Sequence, residues 1–318
     1  MFFVTFHQTI SNVYAYDDEG NLLNPKSPCV LNASGETLDE LRGIYLVNGY
    51  LYVLNGGKST SNILCFKGSG TSYSYQSTFI ASGGPIDHPF AMTFDGQGHC
   101  YVSNQDTNVV ATLVVNSDTQ ATLAPQPSAF LQAVFPSGTF LQGTLVPSSD
   151  GGLPNVKTTP VPQVLGGLYV SIQKGKVQNS VRDVVYYNGL IFVLDEPGGL
   201  VRTYNAATGQ PLINSNPVSS PTHLLIQNNT MYVAAGNQVL SSPVPNPYDS
   251  DAAAWVFEPL ISLGSSDSAS GMAFDSSGNF YVANRSSMKV HVYSSKFQPL
   301  QTWPAMTDNP EFLLYMGG

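Results

Sequence analysis

A recurring block of short strands constrains this chain more than any other feature. Ser270 to Tyr293 reads SGMAFDSSGNFYVANRSSMKVHVY, in which apolar runs at 272–274, 280–283 and 289–293 are separated by an Asp/Ser/Gly turn and a polar loop. Short apolar runs bounded in this way mark an antiparallel meander. Related blocks occupy Leu41–Phe66, His88–Val115, Val181–Tyr204 and Pro221–Leu240. The valines of the second runs set the period: Val4, Val53, Val102, Val193, Val233 and Val282 stand 49, 49, 91, 40 and 49 residues apart. A repeat of 40–50 residues with several strands in each unit predicts a β-propeller, whose units bury their faces only against their neighbours.

The two ends of the chain supply the missing unit. Residues 310–318 read as an innermost strand and its turn, and Met1–Phe6 as a second strand, with 12–16 as a third. Joined tail to head they complete one blade, so that no sheet edge is left for the ring to expose. The expectation is an all-β, six-bladed antiparallel propeller, a single domain over 1–318 closed by pairing its N- and C-terminal strands. The 91-residue step is the one irregularity. Residues 120–166 hold Pro125, Pro127, Pro136, Pro147, Pro154, Pro160 and Pro162 with Gly151-Gly152, a density that forbids a central strand. They read as an insertion in the third blade, with 167–172 resuming it; a degenerate seventh blade is the alternative. Residues 252–259 read as an outer strand of the fifth.

Composition narrows the partners. Only 10% of residues are charged, the net charge is −9, and Lys and Arg nowhere form a run. Nucleic acid and acidic membrane surfaces both need clustered cations, so neither is expected, and a monomer is. No apolar span is long enough to cross a membrane as a helix, and Met1–Phe6 lacks the basic start of a secretory leader. Cys29, Cys65 and Cys100 lack metal-ligand spacing, and their odd number favours a reducing compartment. The low charge and the wealth of Ser, Asn and Thr favour secretion instead, so the compartment is left open.

Residues 280–293, FYVANRSSMKVHVY, resemble an NHL-type repeat, and Ser270–Asp275 with Gly278-Asn279 resembles the corresponding run of gluconolactonase and senescence-marker-protein propellers. That resemblance implies six blades and a lactonase whose divalent metal is held by acidic or amide residues at the starts of the innermost strands. The matching positions here are Arg42, Phe90, Arg182, Thr222, Ser270 and Glu311. One carboxylate among two guanidiniums does not make a six-oxygen cage. No metal and no cofactor are therefore expected, and a metal-dependent lactonase is only the third reading.

The same six positions ring the mouth of the propeller, which is its concave polar place. The ends of the second strands face that mouth: Asn55, Asn104 with Asp106, Asp195 with Glu196, and Asn284 with Arg285. Arg42 and Arg182 suit a carboxylate or phosphate, whose geometry matches the planar guanidinium; their other reading is pairing with Glu311, Asp183 or Asp195 between blades. His88 and His223 flank the ring, and His7 lies in a mouth loop. With Asp106 or Glu311 nearby, His88 has the ordinary pKa range of a general base; Glu311 and His223 complete the candidate catalytic set. The adjacent carboxylates of Asp195 and Glu196 have turn capping as their plainer reading. No nucleophile elbow, metalloprotease or P-loop motif is present. The leading expectation is a small polar or anionic ligand at the mouth, with metal-independent lyase or hydrolase chemistry as its active form. The alternative is a scaffold that binds protein, peptide or glycan without chemistry.

Overall fold

The computed structural model describes the chain except residues 7, 26, 32–35, 58–59, 84, 107–108, 125–143, 147–154, 158–166, 170–180, 197, 208, 210, 248–254 and 318. It is a six-bladed β-propeller, with no helix among the described residues. Blade 1 is the closing blade, built from Pro310–Tyr315, Phe2–Phe6 and Tyr14–Tyr16. Phe2 pairs with Tyr315 and Phe6 with Pro310, so the tail supplies the innermost strand and the head the next two. The innermost strands of blades 2 to 6 are Leu41–Val47, Pro89–Phe94, Val181–Tyr187, Pro221–Gln227 and Ala269–Phe274. Their second strands are Tyr50–Asn55, His99–Asn104, Leu190–Asp195, Thr230–Ala235 and Phe280–Asn284.

Turn chemistry fixes the hairpins between these pairs. In blades 2, 4 and 5 the loop is two residues, Asn48-Gly49, Asn188-Gly189 and Asn228-Asn229, all with positive φ. That is the turn whose twist matches antiparallel strands, and it needs Asn or Gly at both places. Blades 3 and 6 use a longer loop closed by one carboxylate. Asp95 Oδ1 accepts the amides of Gln97 and His99, and Asp275 Oδ1 those of Ser277 and Asn279.

The periodic valines occupy one rung of the ladder. Val53 faces Ile44 and Leu64, Val102 faces Met92 and Ala111, and Val282 faces Met272 and His291. All six are fully buried. The aromatic residue preceding each valine packs on an aromatic of the following blade. Ring centroids lie 5.5 Å apart for Tyr52–Phe94, 6.4 Å for Tyr101–Tyr186, 5.3 Å for Tyr232–Phe274 and 4.2 Å for Tyr281–Phe2. Phe3 meets Tyr73 at 5.6 Å, and Phe192 meets Trp255, just ahead of the outer strand of blade 5, at 5.8 Å. The core is thus a set of inter-blade seams.

Each joint is also latched near the axis by one side chain on a neighbour's backbone. Thr5 Oγ1 donates to Arg42 O at 2.8 Å, and Ser270 Oγ to Pro310 O at 2.8 Å. Thr222 Oγ1 reaches Ala269 O at 3.4 Å. Tyr45 Oη accepts Met92 N, Thr93 Oγ1 accepts Tyr186 N, and Asp183 Oδ2 accepts Leu224 N.

Three outer features differ from the sequence reading. Val30–Leu31 forms a strand parallel to Tyr73–Ser74, where a plain crossing was expected, so blade 2 has five strands. Cys29 N donates to Val13 O of blade 1 and Cys29 O accepts Tyr73 N of blade 2, making a strap between the two. The outermost strand of blade 5 is Glu258–Ser262, later than expected. Most of 120–166 is outside the described residues. Of it the structure describes Gln120–Leu123, paired with the third strand of blade 3, and a hairpin of Thr144–Val146 with Asn155–Lys157. Gly167–Tyr169 pairs with Val109–Ala111 of the same third strand.

Candidate functional site

Arg42, Phe90, Arg182, Thr222, Ser270 and Glu311 are each the second residue of an innermost strand. The pairing with the second strand slips at this point in every blade: between Leu41 and Ile44, Pro89 and Ala91, Val181 and Val184, Pro221 and His223, Ala269 and Met272, and Val4 and Phe6. A bulge re-aims a side chain, and six in register turn one rung of the ring toward the axis. Glu40, His88 and Ser220, which directly precede three of these strands, take left-handed φ values near 50°. Close approach is written into the next rung. A Cβ on Gly271 would lie 2.7 Å from the carbonyl oxygen of Glu311 and from Phe312 Cα, and one on Gly43 would lie 3.0 Å from Phe90 O.

Glu311 is the centre of the ring and fully buried. Its Oε2 meets Arg285 Nε at 3.2 Å and its Oε1 lies 4.0 Å from Arg42 Nη1. Arg42 is itself buried; its Nη2 donates to His88 Nε2 at 2.9 Å and pairs with Glu40 Oε2 at 3.2 Å. Burial lowers the pKa of Arg42, and the charges of Glu311 and Glu40 pull it back up. Arg182 pairs with Glu196 at 2.8 Å while its guanidinium carbon stands 5.1 Å above the ring of Phe90, a cation–π distance. Arg42 flanks the same ring at 6.0 Å.

His88 is buried, and its pKa is lowered by desolvation first and by Arg42 second. Its Nε2 accepts from Arg42, and its Nδ1 lies 3.5 Å from Asp106 Oδ2. Its lone pair is therefore already engaged by a guanidinium. His223 sits one rung below the ring, with its imidazole 5.3 Å from Phe90 and 4.5 Å from Phe312. Burial drives it down to about 3, against the opposing pull of Glu311. Neither of its ring nitrogens has a hydrogen-bond partner.

The structure thus gathers Arg42, Phe90, Arg182, Glu311, His88 and Asp106. Thr222 and Ser270 stand in the ring, yet their hydroxyls donate to the carbonyls of Ala234, Ala269 and Pro310. The strand-ending residues of the second strands are taken up by neighbouring loops and side chains. Asn55 Oδ1 accepts Asp39 N, Asn104 Oδ1 accepts Asp87 N, and Asn284 Oδ1 accepts Ser268 N. Asp195 accepts Gly198 N and pairs with Arg202 at 2.7 Å. All four are fully buried. It is the next residue along, Glu196 or Arg285, that reaches the ring, and Asp106 stands two beyond Asn104. His7 lies outside the described residues. Glu40 was missed by sequence reasoning; its signal is a position one residue ahead of the strand, shared with His88.

Two guanidiniums on one buried carboxylate, with a third held over Phe90 beside Arg42, do not fit a divalent cation, which takes six or more oxygen ligands. The metal implied by the resemblance has no donor set in this ring.

A concavity lies on the same axis, past the ring. It is a cavity of about 500 Å³ lined by all six innermost strands, from Asp183, His223 and Phe312 beneath the ring to Val47, Gln227 and Tyr315 at the strand ends. Its wall is largely aliphatic and aromatic. Sequence reasoning did not foresee it, because no motif marks the inward rungs of a strand once both faces are apolar.

No protein-family model matches the chain. No curated protein matches it either. Solved structures do. A protein from Lactobacillus plantarum is 13% identical, with 98% of each chain covered and a TM-score of 0.57. A chain of a nidogen/laminin complex is 10% identical over 98% of this chain and 97% of its own, with a TM-score of 0.58. Each is similar to this chain from end to end, and at such identities the likeness is one of fold.

Proposed function

We propose that this propeller binds a small anionic ligand at its mouth, without a metal. The observation that carries the reading is the arrangement around Glu311. Arg42 is sealed behind it, while Arg182 and Arg285 keep part of their surface in solvent, with side chains 16% and 22% exposed. A rigid inner layer of charge that holds outer guanidiniums in place is pre-organisation, which lowers the cost of binding. The partner of Arg182, Glu196, is itself a carboxylate on a loop. A ligand carboxylate or phosphate can take its place by the same bidentate geometry.

The arrangement favours binding over turnover. A general base needs a free lone pair; His88 gives its Nε2 to Arg42, and the Glu311 carboxylate is enclosed by cations. The scaffold reading draws support from one fact, the ion pairing of all three arginines.

Isothermal titration of the full chain with inorganic phosphate, oxalate and citrate tests the choice. An anion that binds below millimolar concentration, weakened at least tenfold by Arg182→Ala or Arg285→Ala, supports the mouth site. Heats that are flat for the whole panel leave the scaffold.

A further inference from the structure

The cavity behind the ring is separate from the mouth: Arg42, Phe90, Arg182 and Glu311 are absent from its wall. A volume of about 500 Å³ lies within the range of small-molecule pockets, which are mostly apolar with a few convergent polar groups. Here the wall comes from residues such as Ile44, Met92, Val184, Leu225, Met272 and Leu313. The polar groups gather at its inner end, where Asp183 and His223 sit on adjacent blades, with Tyr45 nearby in the wall.

His223 is the telling residue. Its side chain is 3% exposed, both ring nitrogens lack hydrogen-bond partners, and it lines the cavity. A buried polar atom left unsatisfied is costly, and Glu311 Oε1, 4.0 Å from Nε2, lies beyond hydrogen-bond distance, so the imidazole keeps a donor and an acceptor to offer a ligand. Asp183 lies 6% exposed in the same wall, accepting the amides of Val184 and Leu224, one to each oxygen, with a second lone pair on each. Tyr45 Oη accepts Met92 N, which leaves its own O–H to donate.

We propose that this cavity is a second ligand site, for a neutral and largely apolar small molecule that carries one hydrogen-bonding group, a hydroxyl or carbonyl, placed against His223 and Asp183. The surroundings reject charge at that end: burial holds His223 neutral down to about pH 3 and raises Asp183 to about 7. A ligand carboxylate brought there would be desolvated beside a carboxyl group with no cation in the wall. The proposal does not rest on the anion reading of the mouth, whose residues it does not use.

The probe is 2-naphthol, compared with naphthalene and 2-naphthoate by calorimetry and fluorescence on the full chain. We expect saturable, submillimolar binding of 2-naphthol at one site, with 2-naphthoate at least tenfold weaker. His223→Phe, which keeps the aromatic packing against Phe90 and Phe312, should weaken 2-naphthol at least tenfold and leave naphthalene within twofold. Leu225→Trp should fill the space and weaken both tenfold or more. Val185→Phe does the same from blade 4 should Leu225→Trp fail to fold by far-UV circular dichroism. No saturable binding of 2-naphthol, or binding indifferent to both the His223 and the filling variants, overturns the proposal. Equal affinity for 2-naphthoate overturns the neutral ligand class.

Discussion

The two ends of one axis are built from the same six strands and are opposite in kind. At the second rung, a register slip in every blade turns Arg42, Phe90, Arg182 and Glu311 inward, and the centre fills with paired charge. From the third rung onward the inner strands carry Ile44, Met92, Val184, Leu224 and Leu313, and the centre stays hollow. Charged side chains fill a ring because each needs a partner, and the partners interlock across blades. Aliphatic side chains need only cover, and six strands held apart by their bulky seams do not bring them together. One architecture thus yields a plug at one end and a cavity at the other, the difference lying in about one residue per blade.

The sharpest way to break that contrast is to remove the carboxylate from the plug. Glu311→Gln leaves Arg42 buried with Arg182 and Arg285 nearby and no anion between them. Breaking a buried ion pair on one side costs about 3–5 kcal/mol, and guanidinium denaturation should register a loss of that size. A loss below about 1 kcal/mol would mean that Glu40 and Glu196 hold the guanidiniums without it.

Next comes His223, at the boundary between the two ends. The unfolded imidazole protonates below about 6.5 and the folded one only near 3. Between those values the unfolded chain holds the extra proton, so the stability owed to His223 falls as pH falls. His223→Phe removes that dependence. It should gain on the wild type as pH falls below 6.5, by roughly 2–3 kcal/mol in going from pH 6.5 to 4.5. Asp183 works in the other sense: raised to about 7, its contribution is complete below its unfolded value and is lost as pH rises through 7. It is common to both proteins and cancels in the difference. Urea midpoints at pH 7.5 and 4.5 measure this, and an equal shift at both would sink it.

A smaller effect separates ring residues that plug from those that latch. Ser270→Ala deletes the bond to Pro310 O at the joint of blades 6 and 1, and should cost about 1 kcal/mol without altering anion binding. A change in anion affinity would return Ser270 to the ligand site. The smallest change is expected from Glu196→Gln, which breaks a partly exposed pair with Arg182 worth about 0–1 kcal/mol. Stability should barely move, while anion affinity rises severalfold; unchanged affinity would argue that Glu196 does not compete for the site.

The fold was legible because a propeller repeats its evidence. The valines, the aromatics before them and the second-rung positions all fell on equivalent rungs, since period and alternation survive where identity does not. The ring positions were legible, but not the partners that their neighbours' side chains take. Asn55, Asn104, Asp195 and Asn284 end the second strands as expected, but at a strand end an amide or carboxylate finds backbone amides of the entering loop sooner than solvent. Thr222 and Ser270 are short and reach only the nearest carbonyl. Asp183 was read as an ion-pair partner for arginines, whereas its oxygens accept backbone amides one rung away. Nothing in a linear sequence reports which way a bulge turns the residues that follow it.

The strap through Cys29 has a consequence for how the ring breathes. Residues 29–31 carry backbone hydrogen bonds from Val13 in blade 1 across to Tyr73 in blade 2. To part those two blades is to break the main-chain hydrogen bonds on both sides of the strap as well as the seam and the Thr5 latch. In native-state amide exchange, the amides of Cys29 and Tyr73 should open together with the strands of both blades, as one cooperative unit of high opening energy.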